Sequence, residues 1–81
     1  MKNRSLSKLQ KLVGKEVAVE YVWIGIDKVA SGTLLSVNKG KVVVDRPFTF
    51  SFLGRKTISF KNKSTRIKQI ATAEGEVVYP S

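Results

Sequence analysis

The chain has 81 residues, with 15 Lys and Arg against 6 Asp and Glu, a formal net charge of +9, and neither Cys nor His. That length makes one small domain, residues 1–81, with a thin stability margin. The missing Cys and His exclude a disulfide framework and the ordinary zinc sites, which leaves oligomerisation as the natural route to further burial.

The N-terminal stretch MKNRSLSKLQKLVGK is basic but has no apolar run of signal-peptide length. No segment approaches the roughly 20 apolar residues of a membrane span. A cytoplasmic protein with no membrane partner is expected. Within the same stretch, Leu6, Leu9, Leu12 and Val13 recur at three and four, which predicts a helix over about 5–13. Ser5 suits its cap and Gly14 its left-handed end, while Lys8 and Lys11 face solvent.

After Gly14 the period becomes two. Val17, Val19, Tyr21 and Trp23 form one face of a strand, read as core or interface; Glu16, Ala18, Glu20, Val22 and Ile24 form the other. Residues 25–28 read as a loop. A strand ASGTLLSV follows, with Gly32 marking a bend, then a turn at Asn38-Lys39-Gly40 and a returning strand KVVVD. In RPFTFSFLGRKTISF, Phe48, Phe50 and Phe52 alternate with polar residues, as do Ile58 and Phe60. One-sided burial of both sets favours a three-residue hairpin loop at Gly54-Arg55-Lys56, with Phe52 opposite Ile58. KNKS is a further turn and TRIKQI a strand, in which Ile67 and Ile70 stand out of step. Residues 74–81 make a last short strand or a tail, with Val77 and Tyr79 sharing a face.

The expected fold is mostly β: five or six short antiparallel strands closing into a small SH3-like barrel over about 15–70, behind an N-terminal helix. In this order of elements, LVGKEVAVEY resembles the opening of a first Sm motif, and ASGTLLSV, with Gly32 and Leu34, its bent second strand. KVVVD resembles its third strand, and LGRKTISFKNKSTRIKQI loosely resembles the second motif. The chain is thus similar over most of 5–70 to the Sm-like family, with its Lsm and Hfq branches. The resemblance implies a homo-oligomeric ring, hexamer or heptamer, in which the fourth strand of one subunit pairs with the fifth of the next. It does not extend to the family's uridine pocket: Val37-Asn38-Lys39-Gly40 supplies one Asn, and Lys61-Asn62 stands where the family has Arg-Gly.

The charge is uneven. From Arg46 to Ala73 there are seven basic residues and no acid, which suggests a patch of one sign and a polyanionic partner, RNA favoured. The candidate nucleic-acid contacts are Lys61, Asn62, Lys63 and Arg66 around the KNKS turn, then Asn38 and Lys39 in the earlier turn, then Arg55 and Lys56 as a hairpin tip. Each set also has a plain reading as turn chemistry or edge protection. Glu16 and Glu20 share a face but lie about 13 Å apart by strand rise, too far for paired carboxylate chemistry. With no imidazole, no thiol and no Gly-rich phosphate loop, neither an enzyme nor a cofactor is expected. The leading expectation is an Sm-like, ring-forming protein that binds single-stranded RNA through basic loops. The alternatives are a monomeric basic barrel on DNA or structured RNA, and an interaction module of a viral or other assembly, with Val22 and Ile24 meeting a partner.

Overall fold

The computed structural model describes residues 3–46 and 54–80. The fold is mostly β and barrel-like: helix α1 (Asn3–Gln10) precedes strands β1 (Glu16–Trp23), β2 (Ile26–Val37), β3 (Lys41–Asp45), β4 (Arg55–Ser59), β5 (Thr65–Thr72) and β6 (Val77–Tyr79). They form one antiparallel sheet in the order β4-β3-β2-β1-β5-β6. The sheet curls until the chain beyond β4 meets the start of β5. There Lys61 bridges to Arg66, and the Ile67 N–H donates to the Phe60 carbonyl at 3.0 Å.

The helix begins and ends earlier than the leucine spacing predicts, so Ser5 lies inside it and is not its cap. Beyond Gln10 the chain tightens into i→i−3 bonds, Leu12 N–H to Leu9 and Val13 N–H to Gln10, and Gly14 takes φ 91° as a helix-ending glycine does. Leu9 is fully buried and Leu6 and Leu12 pack at the core margin, but the tightened turn rotates Val13 out to 44% exposure. The helix lies against β2 and β6.

Three bulges set the core. In β1, alternation alone buries Val17, Val19 and Tyr21. In β2, Leu35 is an extra residue between the pairs Leu34↔Val44 and Ser36↔Val43, so the inward phase steps from Ala30, Gly32 and Leu34 to Val37. In β5, Lys68 is extra between Glu20↔Gln69 and Tyr21↔Ile67, which turns both Ile67 and Ile70 inward. That resolves their odd spacing. A third irregularity, Ile70↔Tyr79 beside Ala71↔Val77, buries Val78 and leaves Val77 exposed, so the expected pairing of Val77 with Tyr79 on one face is replaced by burial of the residue between them. Gly32 sits at the bend because nothing larger fits: a Cβ there would run into the Asp45 carbonyl and lie 2.8 Å from Arg46 Cα.

Two turn assignments are corrected. The expected loop over 25–28 is a two-residue turn, Ile24-Gly25, with φ 49° and 76°, and Trp23 already pairs with Ile26. This is the twist that tight hairpins prefer. At the expected turn Gly54-Arg55-Lys56, Arg55 and Lys56 are strand instead. Arg55 faces Asp45 and Lys56 faces Val44 across the β3–β4 ladder, because Ile58 goes inward opposite Val42. Phe48, Phe50 and Phe52 fall outside the described residues.

Candidate nucleic-acid interface

Two turns stand side by side at one end of the barrel, each built by an asparagine. The Asn38 side-chain oxygen accepts the N–H groups of Gly40 and Lys41 at 2.8 and 3.0 Å. The Asn62 oxygen accepts those of Ser64 and Thr65 at 2.9 and 2.7 Å. Short side-chain acceptors mimic a backbone turn in this way, so both oxygens are committed to holding their loops. The Phe60 N–H donates to the Gly40 carbonyl at 3.0 Å and ties the second turn to the first.

Between them lies an open cleft of about 610 Å³ lined by Lys39, Gly40, Phe60, Lys61, Arg66, Ile67, Lys68, Tyr79 and Pro80. The lining carries four cations and no acid. Its floor is apolar, and the Tyr79 ring is fixed edge-on to Phe60, with centroids 5.0 Å apart at 62°. The Asp27 carboxylate lies 3.6 Å from the Lys68 ammonium; both side chains are well exposed, so water and salt screen the pair. Cations around an aromatic wall can hold phosphates while a base stacks.

Three of the eight candidate residues, Lys39, Lys61 and Arg66, converge on this cleft. Asn38 holds the turn beside it. Lys56 and Asn62 line a separate hollow of about 200 Å³ with Tyr21, Trp23 and Thr65. Lys63 is exposed in its turn, and Arg55 lies in β4; neither lines these two hollows. Arg55 and Lys56 are not a hairpin tip, for the reason of register given above. Lys68 and Tyr79 also line the cleft, and nothing in the sequence marks them for it. Lys68 reaches the cleft from the β5 bulge, and Tyr79 by contact with a residue 19 positions earlier, Phe60; neither relation has a local signature.

Trp23, read as core or interface, is 44% exposed, and the Lys28 ammonium lies 5.5 Å from its ring centroid. Among the described residues, no helix is long and apolar enough to cross a membrane. No protein-family model matches the chain, and no curated protein or solved structure is significantly similar to it.

Proposed function

We propose that this protein is an Sm-like RNA-binding module, which takes single-stranded RNA across the cleft between the Asn38 and Asn62 turns. The observation that carries the reading is the lining: Lys39, Lys61, Arg66 and Lys68 around Tyr79, with no acid among them. The cations hold the backbone, Tyr79 gives a base a face to stack on, and the Asn62 amino group is left over from its turn to reach a base edge. Four phosphate contacts on a single strand give a slope of roughly −3 in log K against log salt. Lys61→Ala with Arg66→Ala removes two contacts, so affinity for poly-uridine falls and the slope shrinks to about half. Fluorescence anisotropy over a salt series measures both. Binding that ignores salt, or a double variant that binds as the parent does, sinks the reading. Preference for duplex over single strand would favour a basic barrel on DNA or structured RNA.

The second reading adds a homo-oligomeric ring, and one observation favours it: the sheet ends in two edges, β4 and β6. Open edges invite a second copy. Because β6 lies along β5 at Ile70 and Ala71, the joint would run from β4 of one copy to β6 of the next. Light scattering on nuclease-treated protein in high salt tests it: six or seven subunits support the ring, and a monomer removes it without touching the cleft.

A further inference from the structure

The most unusual surface of the molecule is the tip of the β1–β2 hairpin. Trp23 is 44% exposed, Ile24 64%, Ile26 55% and Val29 63%. Strand register places Trp23 opposite Ile26 on one face of the ribbon, while Val29, opposite Glu20, lies on the other. The protruding tip is therefore apolar at its end and on the face of Trp23 and Ile26, while its other face sets Val22 and Val29 beside Asp27 and Glu20. A β-branched residue also occupies a position that needs φ 49°, where Asn or Gly would turn the chain without strain. The hairpin gains nothing from isoleucine there. A segment that keeps an aliphatic side chain against its own backbone preference points to use outside the fold.

Cations surround the tip. Lys28 lies over the Trp23 ring. The Ile24 N–H donates to the Ser64 carbonyl at 2.7 Å, which seats the turn carrying Lys61 and Lys63 beside the tip, and Arg66 pairs with Val22 just below it. Two acids lie at this end: Asp27 is matched by Lys68, and Glu20 stands opposite Val29.

We propose that this hairpin seats itself in the interfacial layer of a bilayer containing anionic lipids, with Ile24 and Ile26 among the acyl chains, Trp23 at the headgroup level, and Lys28, Lys63 and Arg66 on lipid phosphates. A fluid apolar phase takes up the end of a ribbon and its apolar face without a shaped partner, tryptophan favours that depth, and the cations beside the tip draw it to anionic headgroups. The mode needs no spanning segment and shares only Arg66 with the RNA cleft. A second copy of the chain would bring together two strongly basic surfaces, and nucleic acid offers little to exposed aliphatic side chains.

Trp23 is the protein's single tryptophan, so its emission reports the tip alone. With vesicles of phosphatidylcholine containing phosphatidylglycerol, emission shifts to the blue and is quenched by brominated acyl chains; phosphatidylcholine alone gives neither. Ile24→Gly suits the positive φ and so keeps the fold, while it lowers vesicle partitioning roughly tenfold by removing a buried aliphatic side chain. Adsorption to anionic vesicles without a blue shift overturns the proposal, because charge alone then explains it. So does a shift produced by poly-uridine and not by vesicles, which would make the tip a nucleic-acid wedge. A shift that grows with protein concentration and no lipid also overturns it, and assigns the tip to a second copy.

Discussion

Among the described residues, one hairpin, β1–β2, contains both fully buried apolar residues and the most exposed large ones. Toward its base, Val17, Val19, Ala30 and Leu34 are essentially inaccessible; toward its tip, Trp23, Ile26 and Val29 continue the same strands into solvent. Residue type does not separate the two ends. What separates them is the reach of the rest of the sheet: the base is covered by α1 and by the far wall of the barrel, and the tip runs past both. Apolar alternation thus says that a face wants cover, and only the length of the neighbouring elements says whether the chain itself supplies it.

The largest effect that sharpens this contrast comes from deleting the same kind of side chain at each end. Leu34→Ala leaves a cavity against Val44 and the helix and costs about 2–5 kcal/mol. Ile26→Ala, more than half exposed already, changes stability by about 0.5 kcal/mol or less. Urea unfolding monitored by circular dichroism compares them. Similar losses at both positions would mean that the tip is covered in solution, and the contrast would fail.

The next effect has the opposite sign. Ile24→Asn puts a residue tolerant of the left-handed region where a β-branched one now sits at φ 49°, and raises stability by about 1 kcal/mol. The urea midpoint moves up with an unchanged slope. A midpoint that stays put or falls would show that the turn carries no strain.

Much of the fold was legible because its signals are local. Alternation located β1 and β3, glycine and asparagine marked the turns at 38–40 and 61–64, and Gly32 marked the bend. The rest depended on pairing. The bulge at Lys68 explains why Ile67 and Ile70 are both buried, yet it exists only in the ladder with β1. Arg55 and Lys56 were misplaced because the partner of β4 is β3, and turn composition cannot say which strand lies opposite. The same holds for the cleft. Lys61, Arg66 and Lys68 lie in the one-signed run of charge and Lys39 in an asparagine turn, whereas Tyr79 enters the cleft through Phe60 and through the far edge of the sheet. Ile24-Gly25 went unread as a tight turn because isoleucine is the wrong residue for one, and that local inconsistency is what separates this turn from the two asparagine turns.

The smallest expected effect is the most discriminating for the tip. Trp23 is the largest side chain in the molecule, and removing a tryptophan from a core costs about 3–5 kcal/mol. Here the residue is nearly half exposed and the Lys28 ammonium lies over its ring at 5.5 Å, a contact worth about 0.5–1 kcal/mol at an exposed site. Trp23→Ala should therefore lower stability by no more than about 1 kcal/mol, and Lys28→Ala in the Trp23→Ala background should add almost nothing, since the two act through one contact. A double-mutant cycle by urea unfolding measures this directly. A loss of core size for Trp23→Ala would place the ring inside a packed site and remove the reason to seek its cover outside the chain. A small loss leaves the largest apolar side chain of a basic protein with no structural duty that its burial can explain, held at the end of a ribbon beside Lys28 and the turn that carries Lys63.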